Sequence, residues 1–84
     1  PKGKRLEEAT FYRAEAYFNL KQYKKAIVDY SKFPEKFTKS RRMAKALYQI
    51  GVSFENLNMK EDAKGFFQEV VDKFPKSQDA QRAK

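Results

Sequence analysis

The chain has 84 residues, a net charge of +8, and no Cys, His or Trp. A chain of this length folds as one small domain with a marginal core, because small domains have a high surface-to-volume ratio. The missing residue types exclude disulfides, thiolate chemistry and histidine-based acid–base or metal chemistry, so we expect no enzyme, metal or cofactor. No apolar run is long enough to span a membrane, whereas an aromatic content of 15% argues against disorder.

An internal repeat with a period of 37 residues runs through the chain. In this register Asn19-Leu20 coincides with Asn56-Leu57, Lys36-Phe37 coincides with Lys73-Phe74, and aromatic residues fall on aromatic residues. The register also places Pro1-Lys2-Gly3 in a loop that closes an earlier unit, which predicts that the chain is cut from a longer protein. A fixed period of this length indicates a helical-repeat architecture.

Each repeat is predicted to contain two antiparallel helices. Apolar residues recur at steps of three or four, which is the period of one helix face. Repeat 1 is assigned to residues 4–37, repeat 2 to residues 41–74 and a short helical cap to residues 78–84, within a single domain of residues 1–84. The links Lys21-Gln22 and Asn58-Met59 are so short that the helices they join must lie side by side.

Pro34 interrupts the second predicted helix. Since proline has no backbone donor, we expect a kink or an early stop near Phe33, with Phe37 still packed. The equivalent residue of the second repeat is Val71, so the corresponding helix should run straight.

Polar residues occupy two positions of the first helix where apolar ones are usual. Thr10 and Arg13 therefore predict either a loosely packed junction with an upstream repeat or a solvent-exposed edge. Two copies of the chain are expected to self-associate through that edge.

The acidic pairs Glu7-Glu8 and Glu61-Asp62 lie near predicted helix N-termini, where the helix dipole stabilises negative charge. We expect a structural role for these pairs.

Small and large residues alternate in each repeat in a pattern that resembles the tetratricopeptide repeat (TPR) family. The matching positions of the second repeat are Leu47, Ile50, Gly51, Phe54, Ala63, Phe67, Val70 and Pro75. Those of the first repeat match less well: Thr10, Arg13, Ala14, Tyr17, Ala26, Tyr30, Phe33 and Thr38. The resemblance implies an all-α, right-handed superhelix of two helical hairpins with a C-terminal capping helix, and a non-catalytic scaffold that binds protein.

The ending Phe74-Pro75-Lys76-Ser77 and the long period are similar to TPRs of bacterial envelope proteins. Within that group the chain resembles the C-terminal TPR domain of the Tol-Pal-associated cell-division coordinators. This resemblance implies a periplasmic location and a partner such as the inner-membrane protein TolA. A TPR adaptor of outer-membrane protein assembly, and a generic TPR adaptor in the cytoplasm, remain alternatives.

In a TPR stack, the first helix of each repeat lines a groove, which here predicts a site for a peptide or helical segment. The predicted groove residues are Phe11, Tyr12, Glu15, Lys45, Tyr48, Gln49, Val52 and Asn56. Alternatively, the three aromatic rings pack on an upstream repeat or on the cap. If they line the groove, Tyr48→Ala should weaken partner binding without unfolding the domain.

The basic charge favours a solvated helix surface over a nucleic-acid site. Lysines and arginines are spread over predicted solvent-facing positions, and no base-stacking motif accompanies them. Binding to an anionic polymer, nucleic acid or glycan, stays open as a weaker alternative with steep salt dependence. A groove that clamps a C-terminal carboxylate is not expected, because Glu15 would repel the ligand.

Overall fold

The computed structural model describes residues 2–84, with side chains from residue 5 onward, and every regular element in that part is an α-helix. The helices are α1 (Lys2–Asn19), α2 (Tyr23–Tyr30), α3 (Lys32–Glu35), α4 (Met43–Asn56), α5 (Lys60–Lys73) and α6 (Gln78–Ala83). Helix α1 packs on α2, α2 packs on α4, α4 packs on α5, and α6 closes against both α4 and α5. The predicted all-α helical-repeat fold is confirmed. None of the helices in the described part is long and apolar enough to cross a bilayer.

The two turns within the hairpins have the same backbone geometry. Lys21 and Asn58, 37 positions apart, adopt left-handed conformations with φ of 62° and 61°. In each turn the next residue donates its N–H to the last turn of the preceding helix: Gln22 to Tyr17 at 2.8 Å, and Met59 to Phe54 at 2.9 Å. These turns place α2 beside α1, and α5 beside α4, as the short links predicted.

Replacing Lys21 by Gly is expected to stabilise the fold by about 0.5–1 kcal/mol, because glycine adopts positive φ without the steric penalty of a Cβ atom. Asn58→Gly is the matched control, since asparagine already tolerates this conformation, and its effect should be near zero. The change in stability caused by each substitution is measured by urea denaturation monitored by circular dichroism. A Lys21→Gly variant that unfolds at lower urea than the parent would contradict the assigned turn geometry.

The second helix of the first repeat, which was predicted to reach Pro34, stops before it. Helix α2 ends at Tyr30, and only the short helix α3 follows it. The cause is the missing N–H of Pro34, which cannot bond to the Tyr30 carbonyl four residues earlier. Phe37 remains packed, with its ring centroid 5.1 Å from that of Phe33. Helix α5, which has Val71 at the equivalent position, is uninterrupted, as predicted.

The core lies between the two hairpins. Its largest fully buried apolar side chains are Tyr30, Phe33, Leu47, Ile50 and Val70. They come from α2, α3, α4 and α5, so α4 is covered on both sides by neighbouring helices. The position of α4 is therefore fixed by both repeats.

One expectation fails at the start of the chain. Pro1 lies outside the described residues, whereas Lys2 and Gly3, predicted in a loop, belong to α1. The equivalent turn at Ser40 is held by a 2.9 Å hydrogen bond from its N–H to the Phe37 carbonyl.

Candidate functional site

Helices α1 and α4 carry the predicted groove residues, and two ion pairs link α1 to α4 and to Arg42, the residue just before it. Arg42 Nη1 lies 3.3 Å from Glu7 Oε2, and Lys45 Nζ lies 3.6 Å from Glu15 Oε2. All four side chains are partly exposed, so each pair contributes little to stability. Their effect is geometric, because they hold the side chains of consecutive repeats beside each other.

Phe11 is a core residue, and its predicted place on the groove surface is wrong. Only 4% of it is exposed, and its ring centroid lies 5.9 Å from that of Tyr30 and 5.8 Å from that of Phe33. The cations of Arg42 and Lys45 lie 5.3 Å and 5.6 Å from the ring centre. Phe11 is therefore enclosed by its own hairpin and by α4, and it offers no surface to a partner.

Tyr48 is half-buried and makes the same contact in the second hairpin. Its ring centroid lies 5.5 Å from that of Phe67, just as Phe11, its counterpart in the first repeat, packs against Tyr30. Truncating Tyr48 to alanine removes this packing. The substitution is thus expected to affect stability as well as any binding, and a different residue must separate the two.

The remaining predicted residues lie on α1 and α4 and are exposed or half-buried, and the contact between Glu15 and Lys45 joins the two helices. We call this set the α1–α4 surface; it comprises Tyr12, Glu15, Lys45, Gln49, Val52 and Asn56. Tyr12 is 57% exposed, with the Arg42 guanidinium 5.8 Å from its ring centre. Asn56 Nδ2 donates to the Val52 carbonyl at 2.8 Å. That this surface binds a partner stays a prediction.

Sequence reasoning missed an ion pair between α1 and α2. Arg13 donates to Asp29 through two parallel hydrogen bonds, Nε to Oδ2 and Nη2 to Oδ1, both 2.8 Å long. Lys32 Nζ lies 3.3 Å from Oδ1 of the same carboxylate. Asp29 is buried while the Arg13 side chain is 56% exposed, so the pair is anchored inside the hairpin and open on one side.

The ion pair sets the charge state of Asp29. Burial of the carboxylate pushes its pKa upward, but the hydrogen bonds from Arg13 and Lys32 outweigh burial, and the net pKa is lower than usual. The hydrogen bond to Asp29 also raises the pKa of Arg13. Both groups are therefore charged at neutral pH, and the pair acts as a structural link.

The repeat itself contains a signal for this pair. The residues 37 positions after Arg13 and Asp29 are Ile50, which is buried in the apolar core, and Phe66, which is partly buried and packs against that core. Two apolar positions of one repeat are thus replaced together by opposite charges in the other. The predicted exposed edge is found at Arg13, whereas Thr10 is only 5% exposed.

A buried hydroxyl on α2 makes no hydrogen bond with any described residue. It belongs to Tyr30; burial raises the pKa of the hydroxyl well above its ordinary value, and the nearby Gln49 side chain, which does not reach hydrogen-bond geometry, lowers it only in part. The equivalent residue of the second repeat is Phe67, so this position accepts a ring without a hydroxyl. Tyr30 therefore fills the core as an aromatic ring.

Sequence comparison identifies one family. A family model described as tetratricopeptide repeat matches residues 8–40 and again residues 45–77. The two matches together cover more than half of the chain, and each includes most of one helical hairpin. A search of curated proteins finds no match to the chain.

Proposed function

The chain belongs to the tetratricopeptide-repeat family, and from that premise we propose that its α1–α4 surface binds a segment of a partner protein. Tetratricopeptide repeats are non-catalytic modules that mediate protein–protein interaction. The observation that carries the proposal is the exposed ring of Tyr12 beside charged side chains from two consecutive repeats. The chain would therefore act as a scaffold.

The chemistry of the α1–α4 surface suits a polypeptide segment. A tyrosine ring provides a large contact area and a polar tip at a small cost in rotamer entropy. Glu15 and Lys45 offer an acceptor and a donor at the surface, and electrostatic matching of such groups gives specificity more than affinity. An extended or helical segment with an aromatic or apolar anchor would fit this combination.

We place this scaffold in the bacterial periplasm, in Tol-Pal-linked coordination of cell division, with TolA as its partner. The ending Phe74-Pro75-Lys76-Ser77 and the 37-residue period support this choice. Protease accessibility of the tagged parent protein in spheroplasts tests the location, with intact cells as the control. Digestion only after the outer membrane is opened is the expected result. Protection until the inner membrane is lysed would make the protein a cytoplasmic TPR adaptor.

Tyr12→Ala is expected to weaken binding to the periplasmic part of TolA at least about tenfold, because an exposed aromatic anchor is removed. The free energy of unfolding should change by less than about 0.5 kcal/mol, since Tyr12 is largely outside the core. Titration calorimetry and urea denaturation measure the two effects.

Val28→Ala is the matched control for Tyr12→Ala. Val28 lies on α2, is 63% exposed and is not part of the α1–α4 surface, so its truncation should leave the affinity unchanged. Equal affinities for the parent and Tyr12→Ala would contradict the assigned surface. No measurable binding of TolA by the parent chain would reject TolA as the partner.

A further inference from the structure

The hydroxyl of Tyr30 is not explained by the packing of the core. Tyr30 is fully buried, and its hydroxyl is the one buried side-chain polar atom in the described part of the chain that has no hydrogen-bond partner. The equivalent residue of the second repeat, Phe67, has no hydroxyl. An unpaired buried hydroxyl lowers stability, so the fold alone would favour phenylalanine at this position. The hydroxyl is therefore a candidate for a role in binding.

The Tyr30 hydroxyl lies beneath the α1–α4 surface. The Tyr30 ring packs against Phe11 of α1, with the ring centroids 5.9 Å apart. Burial raises the pKa of Tyr30, the Gln49 side chain lowers it in part, and the charge of Glu15 raises it further, so both of these neighbours are close to the hydroxyl. Gln49 and Glu15 belong to the α1–α4 surface. A buried hydroxyl of α2 thus meets that surface from below.

Gln49 is the neighbour that can bond the hydroxyl. The Glu15 carboxylate is already paired, because its Oε2 lies 3.6 Å from Lys45 Nζ. Gln49 is half-buried, and its carboxamide stops short of hydrogen-bond geometry with Tyr30. A carboxamide has an acceptor oxygen and a donor nitrogen on opposite sides. If it turns towards the hydroxyl, Gln49 Oε1 accepts a hydrogen bond from Tyr30, and Nε2 is directed away from the core as a donor.

We propose that Tyr30 is a positioning residue of the α1–α4 surface: when a partner segment binds, Gln49 Oε1 accepts a hydrogen bond from the Tyr30 hydroxyl, and Gln49 Nε2 donates to a main-chain carbonyl of the segment. This inference rests on the proposed function of that surface. Every polypeptide segment carries main-chain carbonyls, whatever its side chains. Because the hydroxyl gains its partner only in the complex, the new hydrogen bond favours the bound state and adds to the affinity.

Tyr30→Phe tests the proposal, because it removes the hydroxyl and keeps the ring. We expect the variant to unfold at the same urea concentration as the parent or at a higher one, since an unpaired buried group is removed. Its affinity for the periplasmic part of TolA should nevertheless fall about threefold to tenfold, the effect of losing one hydrogen bond. Urea denaturation and titration calorimetry measure the two effects. A merely structural role of the hydroxyl would not weaken binding while the stability is kept.

Tyr17→Phe is the matched control for Tyr30→Phe. Tyr17 is also a tyrosine whose equivalent in the second repeat is a phenylalanine, Phe54. It is half-buried, Lys25 Nζ lies 5.6 Å from its ring centre, and it is not part of the α1–α4 surface. The affinity of this variant for TolA should equal that of the parent.

A double-mutant cycle tests whether Tyr30 acts through Gln49. Gln49→Ala should also weaken binding, and adding Tyr30→Phe to it should cause no further loss, because the two groups act as one unit. The side-chain amide signals of the isotope-labelled chain give a spectroscopic readout. TolA should shift the Gln49 signal of the parent more than that of Tyr30→Phe. The amide of Asn56, which donates to the Val52 carbonyl, is the internal control and should respond equally in both.

Three outcomes would overturn the proposal while the proposed function stands. In each of them the parent binds TolA and Tyr12→Ala weakens the binding. The first is that Tyr30→Phe binds as tightly as the parent. The second is that Tyr30→Phe lowers the urea midpoint, which would show that the hydroxyl is already bonded in the free chain. The third is that the effects of Tyr30→Phe and Gln49→Ala on affinity add. A parent chain that does not bind TolA would reject the proposed partner and this inference together.

Discussion

The Arg13→Ala variant is expected to unfold at a markedly lower urea concentration than the Asp29→Ala variant, although the two substitutions break the same ion pair. Removing Arg13 leaves the buried carboxylate of Asp29 with Lys32 alone, and an uncompensated buried charge is costly. Removing Asp29 leaves a half-exposed guanidinium, which water can solvate. For Asp29→Ala we therefore expect a loss of only about 1–2 kcal/mol. Equal midpoints for the two variants would contradict the burial assigned to Asp29.

The second repeat supplies a rescue for this pair. Arg13→Ile combined with Asp29→Phe introduces the residue types of Ile50 and Phe66, and it leaves no buried carboxylate without its partner. The double variant should be more stable than Arg13→Ala. A double variant that is less stable would show that the two repeats do not share one packing geometry at this position.

The ion pair also predicts a pH dependence. Because the pKa of Asp29 is lower in the folded chain than in the unfolded chain, the unfolded state binds more protons between the two values. The stabilisation is present above the unfolded pKa of about 3.9 and is lost as the pH falls through the lower folded pKa. The stability difference between the parent and Asp29→Ala should therefore shrink below about pH 4. A difference that stays constant down to pH 2 would contradict this pKa shift.

Gly51→Ala is expected to destabilise the chain by about 1–3 kcal/mol, although alanine is the better helix former. A Cβ atom at Gly51 would lie 2.6 Å from Cε1 and 2.8 Å from Cδ1 of Phe67, so the ring would have to move. That ring is held against Tyr48. In the first repeat the equivalent residues are Ala14 and Tyr30, both fully buried, so an alanine is accepted at this position and the cost measures how far Phe67 can shift.

Gly65→Ala is the matched control for Gly51→Ala. A Cβ atom at Gly65 meets nothing within 4 Å, so only the gain in helix propensity remains, about 0.5–1 kcal/mol of stabilisation. Thermal or urea denaturation of the two variants should give effects of opposite sign. Stabilisation by both substitutions would contradict the close approach of α4 and α5.

The sequence predicted the local features of the fold well. The spacing of apolar residues located the long helices, the short links located both turns, and Pro34 predicted the early end of α2. All of these depend on residues within a few positions of one another. Helix periodicity and the loss of a backbone donor act over that range, so a single sequence is enough to detect them.

The side-chain environment of the candidate site was harder to predict. Periodicity gives the face of a helix on which Phe11 and Tyr48 lie, but not which neighbouring element covers that face. Part of the cover of Phe11 comes from Arg42 and Lys45, more than 30 positions along the chain. The pair between Arg13 and Asp29 likewise depends on how α1 and α2 approach, which local spacing does not encode.

Site-specific photo-crosslinking tests the central claim, partner binding on the α1–α4 surface, most directly. A benzophenone amino acid replaces Tyr12 in one variant and Val28 in another; both positions are exposed, but only Tyr12 lies on that surface. Each variant is irradiated with the periplasmic part of TolA. We expect a crosslinked product at position 12 and none at position 28. A product at position 28 alone, or equal yields at both positions, would contradict the assignment.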